Sequence, residues 1–296
     1  MRKKCRAKRC KRIIEPELIK IIDGYLLGLK ASDAAKATIT KYRHILLQFF
    51  GIYNKPIQEL TCNDVQEWLN TLVNENKSKR TITLYFTVLN NFSKYCLAKG
   101  YIKKTFTKRR MRPKVTRSLP KFLDSQDIAR LKLYADRLCP RDRVIIFFLL
   151  TSGCRRSEAA GLDIEDIDLA NRTATVLGKG GKTREVHFSI ECALLLKEYL
   201  ASEMRDNGPL FINRFGNRLS DRAIYRITTK LRKMANLPQN FSPHWLRHTF
   251  GREMLSKDAD LSFVAAELGH ESLNTTRIYT QIPTRKLIAA YNQRMG

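Results

Sequence analysis

A strongly basic segment divides this sequence into two parts. From Lys103 to Arg117, eight of fifteen residues are basic, and apolar residues do not recur at a helical or strand spacing. Pro113 and Pro120 disfavour a helix through the same region. The chain is 296 residues long, which is enough for two domains that each bury a hydrophobic core. The sequence therefore predicts a linker between two folded domains.

Four regions follow from this division and from the basic run at the start of the chain. They are a flexible basic tail at 1–12, a first domain at 13–105, a basic linker at 106–120 and a second domain at 121–296. An apolar fraction of 43% is typical of a folded globular protein rather than of a disordered chain.

The first domain carries four amphipathic patterns with a period near that of an α-helix. The first pattern begins near Pro16, a residue suited to a first helical turn, and ends near Leu29. The third has Thr61 or Asn63 as a plausible cap, and the fourth ends at Gly100. Four such helices with short connections predict a small helical bundle.

The second domain mixes helices with a short β-hairpin. A helix is expected to start near Asp124 or Ser125, and a buried helix covers 142–152 and closes at Gly153. The strand-like stretches "TATVL" and "TREVHF" flank "GKGGK", which predicts a hairpin with Lys179 and Lys182 in or beside its loop. The residues from 190 onward are again mostly helical in pattern.

The charge of the chain points to a polyanionic partner. Lysine and arginine total 55 against 28 acidic residues, a formal net charge of +27. Nucleic acid is favoured over an anionic membrane, because the basic residues are spread along the chain instead of lying on one amphipathic helix. The tail at 1–12 holds eight basic residues and is expected to be disordered until it meets phosphate.

The basic linker is expected to lie along a phosphate backbone, and a solvated hinge is the alternative. Its candidate DNA-binding residues share a basic side chain and a place in this segment. They are Lys108, Arg109, Arg110, Arg112, Lys114 and Arg117.

Cysteine usage and hydropathy favour a cytoplasmic protein. The seven cysteines are scattered and form no C-x-x-C pair, which is typical of reduced thiols rather than of a disulfide framework or a zinc site. The longest apolar run, from Val144 to Leu150, is far shorter than the roughly 18 residues of a membrane span. The basic N-terminus lacks the apolar stretch of a signal peptide.

Short polar motifs of the second domain contain the candidate functional residues. Each is weak alone, since an arginine after a glycine or a lysine in a glycine turn is usually a solvated surface residue. A lone tyrosine is likewise more often a packing residue than a nucleophile. The motifs are Arg155 in G-x-R-x-S-E, Lys179 in G-K-G-x-K, H-x-L-R-H-T-F at 244–250, L-G-H at 268–270 and Tyr279 nine residues later.

In this order and spacing the motifs resemble the tyrosine recombinase (phage integrase) family. The four-helix region and the "SLP" junction are similar to those of Xer-like members, so the resemblance runs from residue 13 to the end of the chain. It implies a four-helix, SAM-like core-binding domain followed by an α+β catalytic domain. The expected fold is mainly α with a small antiparallel β-sheet. The implied catalytic residues are Arg155, Lys179, His244, Arg247, His270 and Tyr279.

The chemistry of phosphodiester cleavage fits this set of residues. Negative charge builds on the non-bridging oxygens during attack, and the guanidiniums of Arg155 and Arg247 can hold those oxygens. A phenol, with an ordinary pKa of about 10, attacks only when its proton is removed or the phosphate is held against it. His244 can accept that proton and return it.

The resemblance adds two further roles and leaves alternatives at several positions. Lys179 would protonate the leaving 5′-oxygen, and His270 would donate a hydrogen bond to the scissile phosphate. Lys182 also lies by the hairpin turn, and Arg156 directly follows the preferred arginine. Tyr291 is a weaker candidate nucleophile because no comparable motif surrounds it, and His248 is expected to be structural.

The resemblance implies a site-specific DNA recombinase. Such an enzyme cuts and rejoins double-stranded DNA at specific sites through a 3′-phosphotyrosine link and a Holliday junction, with no metal, ATP or other cofactor. It acts as four protomers on two sites, joined by exchange of a C-terminal tail such as 283–296. A tail packed on its own domain is the alternative, and the need for a partner recombinase stays open.

Two other functions compete with this expectation. A type IB topoisomerase-like activity would use the same tyrosine and let the cut strand swivel. A non-catalytic, architectural DNA-binding protein would need only the positive charge. The biological role also stays open between integration or excision of a mobile element and resolution of chromosome or plasmid dimers.

Overall fold

The computed structural model describes residues 14–53, 55–115, 121–269 and 273–276. The chain divides between Arg117 and Ser118 into two compact units. Both units are mainly helical, and a small antiparallel sheet lies in the second. The predicted fold class is therefore confirmed. The basic tail at 1–12 lies outside the described residues.

The first unit contains the four predicted helices. They are α1 (Pro16–Ala31), α2 (Lys36–Phe50), α3 (Cys62–Asn74) and α4 (Lys79–Ala98). Of the two predicted caps of α3, the structure selects Thr61. Its backbone N–H donates to Asp64 Oδ2 at 2.7 Å, and its hydroxyl accepts from the Asp64 N–H at 3.4 Å. This reciprocal pair satisfies donors that a helix start otherwise leaves free.

Aromatic side chains fill the centre of the first unit. Phe49 packs edge-on against Trp68 with ring centroids 5.0 Å apart, and Phe50 packs similarly against Phe92 at 5.7 Å. All four side chains are buried. Such edge-to-face pairs fix the relative positions of α2, α3 and α4 more narrowly than aliphatic contacts would.

The packed part of the first unit extends beyond residue 105, where the sequence predicted the linker to begin. Phe106 is buried in the core, and its N–H donates to Ser93 Oγ at 3.0 Å. The hydroxyl of Thr107 donates to Asn90 Oδ1 at 3.0 Å. A short 3₁₀ helix then covers Arg109–Met111, and Met111 contacts the core.

The second unit is built from eight helices and three strands in the part of the chain that the structure describes. The helices are α5 (Ser125–Ala135), α6 (Pro140–Ser152), α7 (Arg156–Gly161), α8 (Ile190–Glu203), α9 (Asp221–Met234), α10 (Pro243–Ser256), α11 (Leu261–Leu268) and α12 (Leu273–Thr276). The strands are β1 (Ile167–Asp168), β2 (Thr173–Leu177) and β3 (Thr183–His187).

The predicted hairpin is confirmed, and the structure adds a short strand beside it. β2 pairs antiparallel with β3, with Ala174 opposite Val186, and β1 pairs antiparallel with β2. The hairpin loop holds a 3₁₀ turn at Lys179–Gly181. The Gly178 N–H closes the loop by donating to the Lys182 carbonyl at 2.7 Å.

Helix α6 lies in the core of the second unit, and its C-terminal end leads directly to Arg155. Every residue from Val144 to Leu150 is buried, and the helix packs against α8 and α10. It ends at Gly153, whose φ of +62° is left-handed. A Cβ at this position would lie 2.3 Å from Phe250 Cδ1 of α10, so only glycine fits. The close approach brings Cys154 and Arg155 beside α10.

Neither a disulfide nor a metal-binding cluster is present among the described residues. All five described cysteines are free thiols, namely Cys62, Cys96, Cys139, Cys154 and Cys192. Within the described ranges, no group of three or more His, Cys, Asp or Glu side chains is placed to hold a metal ion. None of the described helices is both long and apolar enough to cross a membrane.

Candidate active site

A cleft in the second unit brings together three of the six predicted catalytic residues. Its volume is about 350 Å³, and the starts of α7, α9 and α10 line it. Arg155, His244 and Arg247 all contribute to its wall. The remaining lining residues are Cys154, Arg156, Ser157, Asp221, Tyr225, Ser242 and Pro243.

Helix α10 supplies His244 and Arg247 one turn apart. The helix starts at Pro243, so both side chains lie on its first turns and share a face. Arg247 is only 2% exposed. It donates to the Gly153 carbonyl at 2.8 Å and to the Leu268 carbonyl. A permanently charged guanidinium is thus fixed in a buried position by the ends of α6 and α11.

Arg155 stands at the start of α7 and points its guanidinium to two acceptors. Nη1 donates to Glu158 Oε1 at 2.6 Å, and Nη2 donates to the Gly269 carbonyl at 3.3 Å. The Arg155 N–H also donates to Glu158 Oε2 at 2.6 Å, which caps the helix. The side chain is 36% exposed, so it can reach a ligand in the cleft.

Glu158 is a buried carboxylate that stays ionised. Burial by itself raises its pKa, but hydrogen bonds from Arg184 and from the backbone and side chain of Arg155 outweigh that effect. The resulting pKa is about 2. A carboxylate that accepts several charge-assisted hydrogen bonds keeps its charge throughout the neutral range.

The surroundings of His244 favour its neutral form. The ring keeps exposed surface, yet the protein atoms around it partly desolvate it. That desolvation, followed by the positive charges of Arg247 and Arg155, lowers its pKa from the ordinary histidine value. His248 packs edge-on against it with ring centroids 4.4 Å apart. A neutral imidazole next to two cations can accept a proton.

The two adjacent arginines face different partners. Arg156 donates to Asp221 Oδ2 of α9 at 2.8 Å and lies 5.7 Å from the centre of the Tyr225 ring. Both arginines line the cleft, but only Arg155 shares the end of α11 with Arg247: Arg155 donates to the Gly269 carbonyl, and Arg247 donates to the neighbouring Leu268 carbonyl. The geometry therefore favours Arg155 as the partner of His244 and Arg247.

Three predicted residues cannot be placed in the cleft. His270 and Tyr279 lie outside the described residues, as does the alternative Tyr291. Only the backbone of Lys179 is described, and it lies in the hairpin loop. Lys182 is exposed directly after the same turn. The choice between the two lysines stays a prediction.

Sequence reasoning missed Arg184 on β3. Its guanidinium donates to both carboxylate oxygens of Glu158, at 3.0 and 2.9 Å, and its Nε donates to the Glu267 carbonyl at 3.1 Å. Strand alternation could have revealed it, because Arg184 shares a face with the buried Val186 and Phe188. An inward-facing arginine in a strand needs an acid partner.

Sequence-family comparison matches both units. A phage integrase family model matches residues 121–285, and a model of the phage integrase N-terminal SAM-like domain matches residues 21–103. The chain is 33% identical over 279 residues to tyrosine recombinase XerC of Thermodesulfovibrio yellowstonii, covering 90% of this chain and 92% of that protein. It is 33% identical over 264 residues to XerC of Corynebacterium glutamicum, covering 87% and 85%.

Solved structures agree with these relatives. The site-specific recombinase XerH, in a post-cleavage complex with a palindromic difH substrate, matches with a TM-score of 0.72 and 26% identity. The match covers 88% of this chain and 81% of that one. Both domain models, the relatives and the architecture point the same way. The chain belongs to the phage integrase family and is an Xer-type tyrosine recombinase, a DNA breaking-rejoining enzyme.

Proposed function

We propose that this enzyme cleaves and rejoins specific sites in double-stranded DNA through a covalent link to Tyr279. The observation that carries the proposal is the cleft itself. Two arginines and a histidine of lowered pKa meet there, at the residues that the motifs singled out. A phosphodiester is an anion whose cleavage requires charge stabilisation and proton transfer, and these three side chains supply both.

The phosphate is bound by the two guanidiniums. Arg247 is held by two carbonyls, so its charge is preorganised before any ligand enters. Arg155 is more exposed and is oriented by Glu158 and by the Gly269 carbonyl. Their hydrogen bonds strengthen as negative charge develops on the non-bridging oxygens.

The covalent step exchanges one phosphate ester for another. The Tyr279 oxygen attacks phosphorus, its proton passes to His244, and the bond from phosphorus to the 5′-oxygen breaks. Lys179 protonates that oxygen, with Lys182 as the alternative donor, and His270 donates a hydrogen bond to the phosphate. The product is a 3′-phosphotyrosine and a free 5′-hydroxyl. Attack by a 5′-hydroxyl from another strand reverses the step.

The energy of the broken ester is retained in the phosphotyrosine link. Rejoining therefore needs no ATP, and we propose that the guanidiniums supply the charge stabilisation without a metal ion or other cofactor. Two exchanges at paired sites pass through a Holliday junction. That requires four protomers on two sites, and exchange of the tail at 283–296 between neighbours would close the ring.

Duplex binding is supported by exposed basic side chains in both units. The exposed face of α9, which borders the cleft, carries Arg222, Arg226, Lys230 and Lys233. In the first unit the described candidates of the basic segment are all exposed: Lys108, Arg109, Arg110, Arg112 and Lys114. Arg117 lies outside the described residues. The XerH relative was solved with a DNA substrate, which supports the same kind of ligand here.

Covalent trapping tests the proposal. Wild type and Tyr279→Phe would each be incubated in EDTA with a library of nicked duplexes that carry a randomised core, together with duplexes from the genetic neighbourhood of the chain. We expect a denaturant-resistant adduct with wild type only, and sequencing of the trapped DNA would give the site. An adduct that persists in Tyr279→Phe would refute the assignment of the nucleophile.

Two further outcomes would identify the competing functions. Tight binding without an adduct from wild type, across the library, would favour an architectural protein. Relaxation of supercoiled DNA without any joined recombinant product would favour a topoisomerase-like activity. Pairing two trapped sites on one plasmid then distinguishes integration or excision from dimer resolution, because site orientation decides which product forms.

A further inference from the structure

Arg184 occupies a central position behind the cleft without lining it. It lies on β3, two residues after Lys182 and the hairpin turn, and its side chain is 15% exposed. Its two terminal nitrogens each donate to a different oxygen of Glu158. Its Nε donates to the carbonyl of Glu267, two residues before Gly269. One side chain thus joins the hairpin, the start of α7 and the end of α11.

Glu158 is shared between two arginines, and this sharing sets the net charge of the three side chains. Each carboxylate oxygen accepts one bond from Arg184 and one from Arg155, the latter from its guanidinium or its N–H. Two guanidiniums and one carboxylate leave one uncompensated positive charge. Without Arg184, the same carboxylate would form a neutral pair with Arg155.

The position of Gly269 depends on the same guanidinium. A Cβ on Gly269 would lie 2.9 Å from Arg184 Nε, so the backbone of the L-G-H motif packs directly on this side chain. The Gly269 carbonyl in turn accepts from Arg155. The carboxylate of Glu267 is occupied elsewhere, since it accepts from His187 at 2.8 Å. Glu158 is therefore the acid whose charge Arg184 balances.

We propose that Arg184 is a positioning residue of this enzyme: it balances the charge of Glu158 and thereby leaves the positive charge of Arg155 available to the scissile phosphate. This inference rests on the proposed function. It concerns the chemical step rather than duplex binding, because Arg184 does not line the cleft. Removing one partner of a buried ion pair can destabilise a protein strongly, so the test must separate the folding of each variant from its chemical step.

The test compares four variants with wild type on the duplex recovered by covalent trapping. Arg184→Gln removes the charge, and Arg184→Lys keeps it. The double variant Arg184→Gln with Glu158→Gln removes both buried charges and frees Arg155 again. Arg141→Gln is the matched control, because Arg141 also donates to one carboxylate, that of Asp142, and to one carbonyl, that of Ile212. Thermal unfolding of each variant is measured alongside.

The readout is the single-turnover rate of adduct formation at a protein concentration that saturates the DNA, so weaker DNA binding does not affect it. We expect Arg184→Gln to lower this rate by about ten- to a hundredfold, as for other residues that act through a catalytic group. Arg184→Lys should lose less, and Arg141→Gln should keep the wild-type rate. The double variant should recover at least about tenfold over Arg184→Gln, because Arg155 no longer has a carboxylate to neutralise it.

Two results would overturn the proposal. One is a wild-type rate in folded Arg184→Gln, and the other is a double variant no faster than Arg184→Gln. If Arg184→Gln does not fold, the rate of adduct formation by the double variant decides. A double variant more than about a hundredfold slower than wild type would then refute charge balancing. A wild-type enzyme that forms no adduct with any duplex would instead overturn the proposed function, and with it this inference.

Discussion

Replacing Gly153 by alanine should destabilise the second unit and disturb the cleft together. Gly153 has a φ of +62°, and a Cβ there would lie 2.3 Å from Phe250 Cδ1. The left-handed backbone costs an L-residue about 1–2 kcal/mol. Relief of the overlap, by moving Phe250 or the end of α6, costs about 1–3 kcal/mol more. The expected loss in the free energy of unfolding is therefore about 2–5 kcal/mol.

A matched glycine separates the two contributions. Gly216 has a φ of +77°, and a Cβ added there would meet no atom within 4 Å, so Gly216→Ala should lose only the backbone part, about 1–2 kcal/mol. Both would be measured by urea unfolding in a Trp68→Phe background, where Trp245 reports the second unit alone. Equal destabilisation by the two substitutions would refute the packing argument.

Three further predictions concern the cleft and the first unit. Arg155→Ala should lower adduct formation by about a hundred- to a thousandfold, while Arg156→Ala, which removes a group tied to Asp221, should have a much smaller effect; equal losses would contradict the assignment. Because the pKa of His244 is lowered, the wild-type rate should fall with decreasing pH only below the ordinary histidine range, where the ring gains its proton. The same fall in His244→Gln would show that another group titrates. Phe106→Ala should destabilise the first unit by about 3–5 kcal/mol in chemical denaturation, and a change below about 1 kcal/mol would show that Phe106 does not belong to that core.

Periodic patterns allowed most of the fold to be predicted. The apolar repeat and Pro16 located α1, and the alternation around "GKGGK" located the hairpin, because each pattern reflects burial on one face. The inclusion of Phe106 in the first core could not be predicted, since a single aromatic residue in a basic segment has no period. The two-residue strand β1 is likewise too short to carry an alternation.

The sequence predicted which residues form the candidate site, but it did not predict the hydrogen bonds that orient them. Order and spacing of the motifs identified Arg155, His244 and Arg247, which the structure brings to one cleft. The hydrogen bonds that orient them join residues far apart in sequence, such as Arg247 and the Gly153 carbonyl. Arg184 was missed for the same reason, because its partners lie on α7 and α11.

Peptide mapping of the DNA adduct tests the central claim most directly. Trypsin cuts after Arg277, Arg285, Lys286 and Arg294, so the two candidate tyrosines fall in separate peptides, 278–285 and 287–294. The adduct would be trapped in EDTA, digested with nuclease and trypsin, and analysed by mass spectrometry. The account predicts a nucleotide on Tyr279 in peptide 278–285. A nucleotide on peptide 287–294, or on any residue other than Tyr279, would contradict it.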